Sequence, residues 1–167
     1  MRVIDGDTVD VDIIEVYKER FSELKNKRER IRLADINAPE LGSVEGETSK
    51  LFLARLLQGA QVYVDIDDVY VRDRYGRIVA VIYKPVNNTH AVNVNMLLVV
   101  ENMANIVDYR NEFDPQKWQL HVEIPRHVRR EAAEVGAEPG IWEASVIAVI
   151  VLIAFIAAII VTRKIRR

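Results

Sequence analysis

From Ala144 to Val161 the chain reads ASVIAVIVLIAFIAAIIV without one charged residue, and TRKIRR follows at once. At about 1.5 Å per residue such a helix spans roughly 27 Å, close to the hydrocarbon thickness of a bilayer. A buried core helix of this length ordinarily keeps a polar face, and this run has none. The expectation is therefore a transmembrane helix over 144–162, a basic tail over 163–167 and a folded domain confined to 1–142. Arg163, Lys164, Arg166 and Arg167 place the tail in the cytoplasm by the positive-inside rule, which puts the domain on the outer side of the cell membrane. That orientation conflicts with an opening that enters a strand almost at once, without a charged and apolar leader. A tail-anchored chain with a cytoplasmic domain is the alternative, disfavoured by the basic tail.

The 167 residues, half of them apolar, suffice for one domain with a real core. A formal charge of −2 argues against a polycation that coats nucleic acid indiscriminately, so an anionic ligand has to be met by local cations. The absence of cysteine removes disulfides, thiolate zinc sites and cysteine nucleophiles. His90, His121 and His127 form no pair at zinc-binding helical spacing.

Near the start, VIDGDTVDVD alternates Val9, Val11 and Ile13 with Asp10 and Asp12, a strand with an apolar and an acidic face. Asp10 and Asp12 read as ordinary solvent-side residues. Asp5 and Asp7 share the parity of the valines, so they need cationic partners or a metal ion. YKERFSELKNKRER reads as a solvated charged connection, and RIRLADINAPE as a strand that Pro39 ends. TSKLFLARLL carries Leu51, Leu53, Ala54 and Leu57 at helical spacing, from about Glu47 until Gly59 closes the helix. QVYVDI and RIVAVIY read as strands joined through the turn residues DRYG. KPVNNTH is a loop, NMLLVVENMA a short helix stopped at Asn102, and Asp114-Pro115 the start of another helix that Pro125 interrupts. HVRREAAEV is helical again. This order suggests a small, partly closed antiparallel barrel with helices against it, mainly β within the α+β class.

Taken together in their order, VIDGDT, RLADINAPE, DRYGR, the NMLLVVENMA helix and the terminal GIW resemble the staphylococcal nuclease (thermonuclease) family over about residues 2–142. The resemblance implies a five-stranded OB-fold barrel with about three helices and a calcium-dependent phosphodiesterase site that cleaves DNA and RNA. Matched residue by residue, it implies Asp7 as the Ca2+-binding carboxylate, Asp5 as a supporting acid and the backbone carbonyl of Ala38 as a further ligand. Arg32 and Arg77 match the phosphate-binding arginines, Glu40 the general base and Tyr75 the tyrosine beside the nucleotide, while Trp142 is similar to the family's packing tryptophan.

One position departs. Where the family usually carries a second calcium-binding aspartate, this chain has Asn37, which still offers oxygen but removes a negative charge, so metal affinity is expected to fall. Asp35, two residues earlier, is expected to restore some of that field. Independently of any family, the residue types suit hydrolysis of a phosphodiester: a hard cation to orient phosphate, two guanidinium forks for its oxygens and a carboxylate to take the proton. The rival class is a non-catalytic OB-fold module that binds single-stranded nucleic acid, favoured by Asn37. A third reading, a scaffold displaying the charged loop, has no specific support, and no protein partner is evident beside the lipid bilayer expected around 144–162.

Overall fold

Valines on one parity and acids on the other give the first strands one face for the core and one for charge pairs. In the computed structural model, which describes residues 1–134, β1 (Arg2–Val3) and β2 (Thr8–Asp12) form an antiparallel hairpin with Val3 opposite Val9. β2 then pairs antiparallel with β3 (Arg28–Leu33), in a register that sets Thr8 against Arg32, Asp10 against Arg30 and Asp12 against Arg28. Val9, Val11, Ile31 and Leu33 enter the core. Arg28, Arg30 and Arg32, one parity away, share the other face with the acids.

The segment between these strands departs from the solvated connection expected of it. Glu19–Leu24 forms a 3-10 turn whose Phe21 and Leu24 are buried in the main core, and the strand already begins at Arg28. Among so many charged neighbours, two apolar residues three apart suffice to dock a short turn. Asp10 also differs from expectation. It is nearly buried beneath the Arg30 guanidinium, whose Nε and Nη2 donate to it at 2.7 and 3.2 Å.

After β4 (Ile36–Asn37) the chain turns into α1 (Val44–Leu57), capped by Ser43, whose Oγ accepts from Gly46 N at 3.0 Å. This helix starts earlier than its leucines suggested and presents a different stripe. Gly46, Ser49, Leu53 and Leu57 are buried, whereas Leu51 is 56% exposed. β5 (Tyr63–Ile66) and β6 (Ile78–Pro85) are antiparallel, with Tyr63 opposite Tyr83. β6 lies parallel to β3, Ile31 facing Ile78, which corrects the wholly antiparallel barrel. The intervening α1 and β5 supply the long crossover that a parallel pair requires.

Of the expected loop KPVNNTH, Lys84 and Pro85 extend β6 and His90 opens β7 (His90–Asn93), which pairs with β6. Asn93 caps α2 (Val94–Val100), and Asn102 ends that segment in the left-handed region at φ 57°, as expected. The fully buried Asn95 accepts from Ile82 N at 3.1 Å and donates to Ala34 O at 2.9 Å, locking α2 to the sheet. β8 (Asn105–Ile106) pairs with β4 and so fixes the backbone at Asn37.

Asp114 does cap a turn, but Pro115–Lys117 is a single 3-10 turn rather than a helix, because Trp118 returns to extended backbone. β9 (His121–Glu123) follows against β7, then α3 (Arg126–Glu134). The main sheet thus runs β1-β2-β3-β6-β7-β9 with β5 beside β6, a mixed α+β architecture. β4 and β8 form a separate pair; four of the nine strands among the described residues are two or three residues long, so there are more strands than the five expected. Among the described residues no helix is long and apolar enough to cross a membrane, and the run at 144–162, the tail at 163–167 and Trp142 lie outside them.

The Asp10–Arg30 pair carries a pH dependence. Hydrogen bonding from Arg30 holds the Asp10 carboxyl below its ordinary value, with the charges of Arg30, Arg2 and Arg28 acting in the same sense against a burial cost. A carboxyl depressed on folding stabilises the fold above its unfolded pKa, and that stabilisation is lost as pH falls through the folded value. Asp10→Asn is therefore expected to melt lower than the parent at neutral pH, with the gap closing on acidification. Thermal melts across pH 2–7 check this, and a gap that stays constant would refute it.

Candidate active site

The Asp5-Gly6-Asp7 triplet forms the tip of the β1–β2 hairpin. Ile4 N and Asp5 N donate to Thr8 O at 2.9 and 3.3 Å, and Asp7 N donates to Asp5 Oδ1 at 3.0 Å. Asp5 thus shapes the turn that aims Asp7 inward. The Asp7 side chain is nearly buried: Oδ2 accepts from Ala38 N at 2.8 Å and Oδ1 from the Thr8 hydroxyl at 3.1 Å. Burial pushes its carboxyl upward, and the Arg32 charge and the Ala38 amide pull it back.

Arg32 is the cation that makes this burial tolerable. Its Nη2 lies 3.3 Å from Asp7 Oδ2 and donates to Asn37 Oδ1 at 3.2 Å, while Nη1 donates to Leu33 O at 2.7 Å. The two side chains implied as metal ligands therefore face one guanidinium nitrogen.

Arg77 reaches the same place from the other side of β3. The turn DRYGR is built on Asp73, whose Oδ1 accepts from Tyr75 N at 2.9 Å and Arg77 N at 3.0 Å, with Gly76 supplying φ 78°. Asp73 Oδ2 accepts from Arg77 Nε at 2.7 Å, and Arg77 Nη1 donates to Thr8 Oγ1 at 3.4 Å. Burial alone would raise the Asp73 carboxyl, but the hydrogen bonds from Arg77 and from the backbone prevail and hold it below its ordinary value. Tyr75 is 67% exposed, and the guanidinium groups of Arg74 and Arg77 lie 4.8 and 5.3 Å from its ring centre.

Thus Asp7, Arg32, Asn37, the Ala38 amide and Arg77 belong to one bonded network joined through Thr8. Glu40 stands at its margin. It is exposed on the loop between β4 and α1, its carbonyl accepts from Ser43 Oγ at 2.7 Å, and its carboxylate makes no bond among the described residues. Thr8 and Asp73 were not singled out from the sequence. Their available signals were a hydroxyl directly after the DGD tip and an acid four residues before Arg77.

Asp35 does not reinforce this site. Held in the left-handed region at φ 53°, it points toward the 107–111 segment, where Oδ1 accepts from Tyr109 N at 3.0 Å and Asn111 Nδ2 at 2.5 Å. Its Oδ2 is buried without a partner among the described residues, and burial raises its carboxyl, with Asp108 and Asp67 adding to the rise.

Asp7, Asn37 and the carbonyl of Ala38 are all hard oxygen donors, and two of them already face a cationic atom, which fits a calcium-type ion rather than a thiophilic one. Among the described residues no three His, Cys, Asp or Glu side chains gather for a metal, so amide and carbonyl oxygen have to complete this set.

Residues 30–142 match the model of the family described as staphylococcal nuclease homologue. The chain is 34% identical over 148 residues to the micrococcal nuclease of Shigella flexneri, covering 86% of this chain and 75% of that protein. It is 36% identical over 111 residues to an uncharacterized endonuclease of Escherichia coli, covering 66% of this chain and 61% of the relative. A similar level, 34% over 131 residues, relates it to Protein ParB of Escherichia coli, with 74% and 64% covered. With the family model spanning well over half of its length and a relative 34% identical of which it covers 75%, the chain belongs to the staphylococcal nuclease homologue family.

Proposed function

We propose that this chain is a nuclease that hydrolyses phosphodiester bonds of DNA and RNA with low sequence preference, using calcium. The observation that carries the reading is the approach of two arginines, from β3 and from the 73–77 turn, to the buried carboxylate of Asp7 through Nη2 of Arg32 and the hydroxyl of Thr8. The names of the nuclease relatives support the same activity.

In this mechanism Arg32 and Arg77 donate to the non-bridging oxygens of the scissile phosphate, neutralising the charge that grows there. Thr8 and Asp73 hold Arg77 so that little reorganisation accompanies the reaction. Glu40, unbonded and open to solvent, accepts the proton of the attacking water. Calcium held by Asp7, Asn37 and the carbonyl of Ala38 would act as a Lewis acid on phosphate and lower the pKa of bound water. Arg32 Nη2 contacts both Asp7 and Asn37, so the two side chains that would hold the ion also orient the guanidinium.

The uncharged run at 144–162 supports anchoring in the cell membrane, with the domain outside and the basic tail inside. Release of the full chain from membranes by alkaline wash, without detergent, would exclude this.

Cleavage of plasmid DNA and of RNA is expected with calcium and not with a chelator. Asn37→Asp, which restores a second carboxylate, is expected to lower the calcium concentration for half-maximal activity severalfold. Absence of calcium-stimulated cleavage by the purified chain would overturn the reading. It would favour the second one, for which Asn37 is the motive: a module that holds single strands without metal and releases them intact.

A further inference from the structure

Beyond the reacting phosphate, the outer face of β3 continues as a groove of about 390 Å³ lined by Arg28, Arg30, Tyr75, Gly76 and Arg77 together with Asp10 and Glu29. We propose that this groove is an extended subsite for single-stranded nucleic acid, in which Arg30 and then Arg28 receive the phosphates that follow the one held by Arg32 and Arg77. The proposal rests on the nuclease reading and adds where, and in what form, the rest of the substrate lies.

Arg28, Arg30 and Arg32 stand on one face of one strand, so the positions that carry the guanidinium groups are offset by about 6.7 Å, two strand residues. That is a repeat for a polyanion lying extended along the strand. Each arginine is oriented in advance. Arg28 holds Asp12 through Nε and Nη2 at 2.7 and 2.8 Å, and Arg30 holds Asp10 through the same two nitrogens. Among the described residues neither Nη1 is engaged, and the two side chains remain 61% and 49% exposed. Each fork therefore keeps donors free toward the groove.

The carboxylates do not cancel the charge of this face. Asp10 answers two arginines, with Arg2 Nε at 3.8 Å as well as Arg30. Such partial neutralisation suits a substrate that must also leave, since each acid takes back its arginine on release. The opposite wall is the exposed ring of Tyr75, and an aromatic face beside a cationic row is the arrangement that stacks bases while tracking a backbone. The same pattern disfavours an acidic peptide, which has no base to lay against the exposed part of the ring.

The test measures fluorescence anisotropy of labelled dT8 and dT2 with the full chain in detergent and chelator, across a series of salt concentrations. dT8 is expected to bind more tightly than dT2 and with a steeper salt dependence. Arg28→Gln, and separately the double variant Asp10→Asn with Arg30→Gln, which avoids leaving a nearly buried carboxylate alone, should each flatten the dT8 salt slope by about 0.7 and leave dT2 unaffected. A thermal melt establishes that each variant is folded, and Arg28→Gln, whose pair lies at the surface, carries the test if the double variant is not. Equal binding of dT8 and dT2, or variants with the parent's dT8 slope, would overturn the subsite. So would polyglutamate competing as well as dT8, which would reassign the patch to acidic proteins. Loss of calcium-dependent cleavage with the dT8 preference intact would instead defeat the nuclease reading and leave the subsite standing.

Discussion

Arg77→Lys is expected to lower kcat on plasmid or oligonucleotide by about 10²–10³ while leaving KM comparatively unchanged. The charge survives, so long-range attraction for the polyanion survives with it. What disappears is the fork. Arg77 uses Nε for Asp73 at 2.7 Å and Nη1 for Thr8 at 3.4 Å, which leaves Nη2 directed by two fixed contacts. An ammonium group has three donors but presents them from one nitrogen, so it cannot span the separate positions at which Nε, Nη1 and Nη2 meet the acid, the hydroxyl and a phosphate oxygen. Its position would be decided by Asp73, the carboxylate that Arg77 already bonds, and away from the reacting phosphate. Asp73→Asn supplies the matching control. It keeps the guanidinium but weakens its orientation, so it should lower kcat less than Arg77→Lys does. The same kinetics on Glu40→Gln should show a loss of about 10²–10⁴, as expected for loss of a proton acceptor. An Arg77→Lys enzyme with near-parental kcat would mean that the arginine serves only the turn.

Much of this site was legible because its residues are set by short-range rules. The alternation around Val9 and Val11 fixes the parity of β2, and a hairpin tip of Asp-Gly-Asp then leaves Asp7 on the core side, where a carboxylate must find a cation. Arg32 could be read as that cation from its motif, and Asn102 could be read as a helix stop because few residues accept a left-handed backbone. Contacts made across the chain were not legible. Thr8 is an ordinary strand threonine until Arg77 arrives from sixty-nine residues away. Asp10 looked solvent-facing by parity, but the polar face of a sheet is not necessarily wet, and Arg30 covers it. Phe21 and Leu24 sit in so charged a segment that no periodicity marks them, yet they join the core. β7 and β9 are too short to show alternation and exist because each offers the other an edge. Asp35 shows the same limit in reverse. Its place in the sequence promised the metal site, and a left-handed backbone turned it toward Tyr109 instead.

The position of Glu40 depends on a residue that carries no chemistry. Gly46 lies in the first turn of α1, and a Cβ there would stand 2.1 Å from Glu40 O, 2.6 Å from Glu40 C and 2.9 Å from Pro39 O. All three are backbone atoms, so no side-chain rotation relieves the clash. Within a helix, glycine to alanine ordinarily stabilises by about 0.5–1 kcal/mol. Here the sign is expected to reverse, with Gly46→Ala destabilising by roughly 1–3 kcal/mol or more as the helix and the 39–40 loop are pushed apart. The activity loss should exceed what that instability explains. The loop ends in the proposed proton acceptor and begins beside Ala38, whose amide holds Asp7, and a displacement near 1 Å in such a constellation costs about 10²-fold in rate. Leu51→Ala, on the exposed side of the same helix, is the control and should change little in either respect. The measurement is kcat at a temperature where chemical denaturation shows both variants fully folded. A Gly46→Ala protein that is folded, stable and fully active would show that the loop yields freely, and that Glu40 is not positioned by the close approach of α1.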